Sequence, residues 1–159
     1  MIDLNVKALV LITHAVVPYM IEGGRIIQLA SSSAFTPLPA FNVYASSKSF
    51  VLHYTKALKY ELKPYKITAT AFCPCWVNTE FVSVAEKEEG THPKKIRPLL
   101  EVRKVVKKAI KDANKGKTLS VTNWFAKFQH ISYKLVPDCI LTKIWLGMLE
   151  DKRKKQLKN

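Results

Sequence analysis

The sequence of 159 residues predicts an α/β fold in which helices connect the strands of a parallel sheet. Two observations predict a single domain of this class. Apolar helical stretches alternate with short β-branched runs over residues 4–73, in the order helix, strand, helix, strand. The composition, with 48% hydrophobic and 24% charged residues, is ordinary for a single globular core.

The first helix and the first strand are expected to be buried. Residues 4–21 are apolar almost all round, which predicts a helix covered on most sides. Residues 25–30 are apolar without alternation, which is typical of a buried strand. Residues 31–39 are predicted to form a loop, because Pro37 and Pro39 exclude a helix there.

The rest of the chain continues the alternation of helices and strands, with one long irregular segment. A second helix is predicted over residues 42–62 and a second strand over residues 66–73. Residues 80–99 are polar and irregular and too long for a tight connection, so they are expected to be a lid or substrate loop. A helix over residues 100–114 and a third strand over residues 118–122 follow.

Basic residues are concentrated at the C-terminal end. The net charge is +14, and residues 101–159 hold 15 basic and 5 acidic residues. Residues 123–150 form a segment of alternating aromatic, apolar and basic residues, and residues 151–159 form a basic tail. The segment predicts peripheral contact with an anionic membrane, and a solvated helix face is the alternative. A nucleic-acid partner is not expected.

The cysteines indicate a reducing compartment. Cys73, Cys75 and Cys139 are few and odd in number, which argues against a disulfide framework and favours the cytoplasm. No metal site is expected, because a tetrahedral site needs about four ligands and the four histidines are scattered.

Tyr44 and Lys48 carry the most informative chemistry. Positions four apart share a helix face, so the Lys48 ammonium can lie beside the Tyr44 phenol. A nearby cation favours phenolate and is expected to lower the phenol pKa from its ordinary value near 10. Ser31 lies thirteen positions before Tyr44 and offers a hydroxyl for the substrate oxygen, although Ser32 and Ser33 compete with it.

Together, Ser31, Tyr44 and Lys48 resemble the proton-transfer site of the short-chain dehydrogenase/reductase family. The resemblance implies that Tyr44 is the general acid/base, that Ser31 orients the carbonyl, and that Lys48 lowers the phenol pKa and binds the nicotinamide ribose. It also implies that Asn5 holds a water in a proton relay toward Lys48. The alternative role for Asn5 is to cap the first helix. The alternative for Tyr44 and Lys48 is a chance match, since an isolated Tyr-x-x-x-Lys pattern often occurs without catalytic function.

Residues 74–79 are similar to the family segment whose backbone and threonine contact the nicotinamide end of the cofactor. The resemblance gives this role to Pro74, Cys75, Val77 and Thr79. Cys75 stands where the family usually has glycine, and glycine permits close approach or a positive φ. Cofactor affinity is therefore the property that Cys75 is expected to affect.

The sequence lacks the glycine-rich turn that binds a cofactor pyrophosphate. Residues 1–122 therefore resemble the catalytic second half of a Rossmann-like domain, in which a doubly wound parallel sheet lies between two helix layers (a three-layer αβα fold). The resemblance implies that this fold is truncated at its N-terminus, so that only the later strands of the sheet are present. We expect a fragment of a longer protein, inactive by itself.

The resemblance implies an NAD(P)-dependent oxidoreductase that transfers hydride between a nicotinamide and a carbonyl or secondary alcohol. The cofactor is NAD or NADP, and the apolar loop content favours a bulky, lipid-like substrate. The family also implies a homo-oligomer formed through the helices over residues 4–21 and 42–62. The alternative is a non-catalytic remnant or an interaction module that binds an anionic surface through its basic C-terminal segment.

Overall fold

The computed structural model describes residues 1–80, 82 and 99–149 of the chain. Three strands form one parallel sheet in the order β1-β2-β3. They are β1 (Arg25–Leu29), β2 (Thr68–Cys73) and β3 (Leu119–Val121). The register pairs Arg25 with Thr68 and Ala71 with Leu119. The predicted α/β fold with a parallel sheet is confirmed.

Five α-helices surround the sheet in the described part of the chain. They are α1 (Leu9–Val16), α2 (Asn42–Glu61), α3 (Val102–Asn114), α4 (Trp124–Leu135) and α5 (Asp138–Met148). Shorter turns adjoin them: a π-helical turn at Asp3–Ala8 and 3-10 turns at Val17–Tyr19, Ser32–Phe35 and Lys63–Tyr65.

The helices form layers on both faces of the sheet. On one face, Ile67 and Ala69 pack with Leu58 of α2 and with Val17, which follows α1. On the other face, Phe72 of β2 packs against Val105 and Ala109 of α3. Strand β2 lies between these layers and is buried along most of its length, as expected for the central strand of a parallel sheet.

The prediction that residues 4–21 are buried on most sides is wrong for the single chain. Within α1 only Thr13 is buried, while Leu11 and Ile12 are 57% and 63% exposed. The helix lies against the sheet edge along one narrow face, where Gln28 Nε2 donates a hydrogen bond of 2.9 Å to Thr13 Oγ1. Leu9 packs against the core, whereas Leu11, Ile12 and Val16 face outward.

Strand β1 also differs from the prediction of a buried strand. Ile27 and Leu29 are 43% and 57% exposed, and side chains along β1 alternate between exposed and half-buried. The reason is position: β1 pairs with β2 on one side, and no other described strand pairs with its second edge.

A buried carboxylate fixes the C-terminal end of α3 to β3. Asp112 is 4% exposed and accepts hydrogen bonds from Lys108 Nζ at 2.6 Å, Lys117 Nζ at 2.7 Å and Ser120 Oγ at 2.8 Å. Burial alone would raise the pKa of Asp112, but these three donors outweigh it and hold the pKa well below its ordinary value.

Two predicted segments fall largely beyond this description. Most of the predicted lid or substrate loop over residues 80–99, and the whole basic tail over residues 151–159, lie outside the described residues. Within the described ranges, no helix combines the length and apolar character needed to cross a membrane.

Candidate active site

The predicted site residues gather where the parallel strands end. Ser31 follows β1, residues 74–77 follow β2, and Thr122 follows β3. Hydrogen bonds join these ends: Ser32 N donates to Pro74 O at 2.9 Å, and Cys75 N donates to Thr122 Oγ1 at 3.1 Å. Ligands of open α/β sheets bind at this carboxyl edge, so the topology places the candidate residues where a ligand is expected.

Ser31 is positioned by the turn that it starts. Its backbone is extended, with φ −164° and ψ 159°, and its Oγ accepts a hydrogen bond of 3.2 Å from Ser33 N. This contact makes Ser31 the N-cap of the 3-10 turn Ser32–Phe35. The cap fixes the position of the Ser31 side chain at the end of β1.

Tyr44 lies in the first turn of α2, close to the hydroxyls of Ser31 and Ser33. Burial raises the pKa of Tyr44 above its ordinary value, and the proximity of these two hydroxyls partly offsets that effect. Ser33 Oγ itself has no hydrogen-bond partner among the described residues. The structure therefore brings Ser31 and Tyr44 together, as the spacing predicts. It adds Ser33, which the spacing argument leaves aside.

Lys48 follows Tyr44 by one helical turn. Its Nζ lies 5.8 Å from the centroid of the Tyr44 ring and donates a hydrogen bond of 2.9 Å to Leu29 O at the end of β1. Burial lowers the pKa of Lys48, and the nearby Cys73 partly offsets the lowering. The shared helix face is thus confirmed.

The expected lowering of the Tyr44 pKa by Lys48 is wrong for the chain as described. The net direction is upward, because loss of hydration dominates and the lowering contributions come from the two serines. The Lys48 ammonium is directed to the carbonyl of Leu29 instead of to the phenol oxygen.

Asn5 approaches the same helix from the π-helical turn Asp3–Ala8. Its Nδ2 donates a hydrogen bond of 3.1 Å to Ser47 Oγ, which in turn donates to Tyr44 O at 2.8 Å. Asn5 does not cap the first helix, since Ile2 occupies the cap position without a side-chain hydrogen bond. Asn5 is therefore linked to α2 through Ser47, the residue before Lys48.

Cys75 fits its position without backbone strain. The described residues other than glycine that have a positive φ are Ala40 and Lys66, so Cys75 does not need the conformation that glycine would supply. Pro74 and Cys75 are half-buried, and Pro74 O accepts the hydrogen bond from Ser32 N. Val77 is half-buried and packs against the cluster that contains Phe72, on the other face of the sheet. Thr79 is exposed, and its hydroxyl donates to Val77 O at 3.4 Å.

The neighbouring Cys73 is unsuited to metal binding or nucleophilic chemistry. Burial raises the pKa of its thiol to about 12, which keeps it protonated at neutral pH. Among the described residues, no three His, Cys, Asp or Glu side chains cluster as metal ligands.

An aromatic cluster that the sequence does not reveal borders Tyr44. The rings of Phe41 and Tyr44 meet edge to face with centroids 6.3 Å apart, and Phe41 meets Trp145 of α5 at 6.0 Å. Trp145 Nε1 donates a hydrogen bond of 2.9 Å to Pro39 O. Helix α5 is thereby held beside the site, across more than a hundred residues of sequence.

Comparison with known proteins identifies the family. The family model described as short chain dehydrogenase matches residues 1–90, which is more than half of the chain. The chain belongs to the short-chain dehydrogenase family. The matched residues include Asn5, Ser31, Tyr44 and Lys48.

Curated relatives agree with this assignment over part of their length. The chain is 40% identical over 95 residues to human dehydrogenase/reductase SDR family member 4, covering 56% of this chain and 34% of the relative. It is 40% identical over 87 residues to sulfoacetaldehyde reductase 2 of Chromohalobacter salexigens, covering 53% and 34%. This short-chain dehydrogenase thus spans about a third of the length of these relatives.

Solved structures confirm the Rossmann-like fold of the chain. A short chain dehydrogenase from Burkholderia cenocepacia, in complex with NADP, superposes with a TM-score of 0.75 at 19% identity, covering 91% of this chain and 58% of that one. A short-chain dehydrogenase from Sphingobium yanoikuyae, in complex with NADPH, gives a TM-score of 0.68 at 24% identity, covering 82% and 51%.

Proposed function

We propose that this short-chain dehydrogenase is an NAD(P)-dependent oxidoreductase that interconverts a carbonyl and a secondary alcohol, with Tyr44 as its acid/base. The observation that carries the proposal is the position of Tyr44 and Lys48 on one face of α2, beside Ser31 at the carboxyl edge of the sheet. The structures from Burkholderia cenocepacia and Sphingobium yanoikuyae hold NADP and NADPH, and a reductase from Brucella melitensis holds NADH. The choice between NAD and NADP stays open.

The residues at this edge fit the nicotinamide end of such a cofactor. An ammonium group has three donors, and Lys48 uses one of them on Leu29 O, so the others are directed to ribose hydroxyls in our proposal. In our proposal, the site wall beside the nicotinamide is formed by Pro74, Cys75 and Val77. Thr79 would contact the nicotinamide end of the cofactor from the exposed side. When bound, the cofactor supplies or accepts the hydride.

The protein's own residues move the proton. In carbonyl reduction, the Tyr44 hydroxyl donates its proton to the substrate oxygen while Ser31 Oγ donates a hydrogen bond to the same oxygen. Burial raises the pKa of Tyr44, which keeps the phenol protonated and suits this direction. In alcohol oxidation the proton passes back to Tyr44, and Asn5 and Lys48 link the site to solvent.

The aromatic surroundings support a bulky, apolar substrate. Phe41, the N-cap residue of α2, lies beside Tyr44, and Trp145 extends the apolar surface from α5. These rings offer contact area for a lipid-like carbonyl compound and few hydrogen-bonding groups for a polar one.

We further propose that the chain forms a homo-oligomer through residues 4–21 and 42–62. The exposed apolar side chains of this region support it. They include Leu4, Leu11, Ile12, Val16, Val43 and Phe50. An apolar surface of this extent on a soluble protein is typical of an interface.

Replacement of Tyr44 by phenylalanine tests the catalytic proposal. In a protein with a cofactor-binding first half placed before residue 1, oxidation of NADPH with a panel of aromatic and long-chain ketones should fall by about 10²-fold or more in Tyr44→Phe, since general acid catalysis contributes that much. Tyr54→Phe is the matched control, because Tyr54 lies on the same helix and stacks on Phe50. Equal turnover in the parent and Tyr44→Phe would refute the assignment and favour the non-catalytic alternative.

A further inference from the structure

Helix α4 has two apolar faces that point in opposite directions. One face packs on the core: Ala126 is fully buried, and the rings of His130 and Tyr133 lie 4.7 and 5.9 Å from Phe35. At about 100° per residue, a second stripe lies on the opposite side of the helix within a band about 60° wide. Its members are Trp124, Phe128, Ile131 and Leu135, which are between 54% and 77% exposed.

Helix α5 repeats this arrangement. Trp145 holds one face of α5 against the loop before α2, through its hydrogen bond to Pro39 O. Ile140, Ile144 and Met148 follow one another at intervals of four residues on a different face, and each is roughly half exposed. Both C-terminal helices therefore carry an apolar stripe that is largely exposed.

Lysines border these stripes. On α4, Lys127 and Lys134 are exposed and lie on one flank, between the packed face and the stripe. On α5, Lys143 is exposed beside Ile144. Over residues 123–149 the only acidic residue is Asp138, and residues 150–159 add five basic and two acidic residues.

This combination of charge and apolar surface identifies the occupant. A second copy of the chain would bring the same excess of lysines into the contact, where like charges repel. A nucleic acid would pair with the lysines but leave the apolar stripes in water. A lipid surface with anionic headgroups satisfies both features, since apolar side chains enter the boundary with the acyl chains and lysines meet phosphates.

We propose that helices α4 and α5 form a docking surface for an anionic phospholipid bilayer. The apolar stripes of Phe128, Ile131 and Ile144 enter the headgroup region, and Lys127, Lys134 and Lys143 contact lipid phosphates. Because α5 also reaches the aromatic cluster beside Tyr44, this surface would hold the candidate active site close to a source of lipid-like substrates. The binding itself is independent of the chemistry at Tyr44.

Vesicle co-sedimentation of the full chain tests the surface. Vesicles of phosphatidylcholine alone are compared with equimolar phosphatidylcholine and phosphatidylserine. Three lysines at the surface should favour the anionic vesicles by about a hundredfold in affinity. Phe128→Ser combined with Ile131→Ser should reduce that affinity at least about tenfold, because two large apolar side chains are lost from the lipid contact.

Matched variants distinguish the contribution of helices α4 and α5 to vesicle binding from that of other parts of the chain. Val106→Ser combined with Ile110→Ser removes a similarly exposed apolar pair from α3, outside both proposed surfaces, and should leave vesicle binding unchanged. Replacement of Lys152, Lys154 and Lys155 by glutamine should weaken binding without abolishing it. Circular dichroism confirms that each variant folds, and Ile140→Ser with Ile144→Ser provides a second test of the surface.

Four outcomes would overturn the proposal. They are absence of binding to both vesicles, equal binding to both, binding unaffected by either apolar pair in α4 and α5, and binding that depends on the three tail lysines alone. A change in molecular mass by light scattering in the Phe128 and Ile131 variant, without a change in vesicle binding, would assign this surface to a second copy of the chain.

Discussion

The hydroxyl of Ser33 lies close to Tyr44 and lowers the pKa of the phenol, an effect that can be measured. A hydroxyl that donates to phenolate favours the charged form, so Ser33→Ala should raise the pKa of Tyr44 further. The measurement is the ¹³C shift of Tyr44 Cζ during a pH titration of tyrosine-labelled protein, with Tyr44→Phe to assign the resonance. Ser32→Ala is the control, because Ser32 is not among the residues that bond Tyr44. A smaller pKa in Ser33→Ala than in the control would contradict this role.

At the scale of single residues, sequence reasoning locates the site but not its electrostatics. The thirteen-residue spacing predicts that Ser31 lies near Tyr44, and the structure places the two residues close together. The spacing cannot indicate Ser33, because the 3-10 turn that Ser31 caps is what positions that hydroxyl. The direction of the Tyr44 pKa depends on burial and on where Lys48 donates, and neither property can be read from the Tyr-x-x-x-Lys pattern.

At the scale of elements, Asp112 is the strongest polar link between α3 and the sheet. Asp112→Asn should destabilise the chain by about 1–3 kcal/mol, because the buried carboxylate satisfies three donors and an amide cannot replace it. Urea unfolding followed by circular dichroism measures the change. Glu101→Gln is the matched control, since Glu101 and Lys104 form an exposed ion pair.

The same link predicts the response to acid. The folded-state pKa of Asp112 is lower than its unfolded value, so its contribution to stability is present above about pH 4 and is lost as pH falls toward the folded pKa. The parent should therefore lose more stability than Asp112→Asn between about pH 5 and pH 2. Equal losses in both proteins would show that Asp112 is not the group responsible.

Most elements could be predicted from sequence periodicity, and the exceptions have physical causes. The three strands and helices α2 and α3 lie where the apolar patterns place them. The C-terminal segment is two helices, α4 and α5, which the pattern does not separate, because α4 carries apolar residues on opposite faces and so lacks one amphipathic period. The π-helical turn at Asp3–Ala8 changes hydrogen-bond register without changing composition.

At the scale of the whole molecule, the exposed apolar surface of α1 should determine the oligomeric state. Leu11→Arg should convert a dimer or tetramer of the parent to a monomer, because a buried unpaired charge is costly at an interface. Light scattering after gel filtration measures the mass. Ile110→Arg is the control, since Ile110 is 49% exposed on α3, outside the proposed interface. A parent that is already monomeric at micromolar concentration would exclude the proposed oligomer.

The parallel register has a consequence for the order in which the sheet assembles. Arg25 pairs with Thr68 and Ala71 with Leu119, so each strand pairing closes a loop of more than forty residues. Such non-local contacts form slowly, because the entropy of loop closure is lost before the pairing stabilises the chain. Strand β1 therefore cannot pair with β2 until α2 and β2 have been synthesised. Strand β2 likewise cannot pair with β3 until the chain has been extended to β3. Helix α2, which carries Tyr44 and Lys48, lies between β1 and β2 in the chain, so its formation shortens the distance that the pairing of these two strands must close.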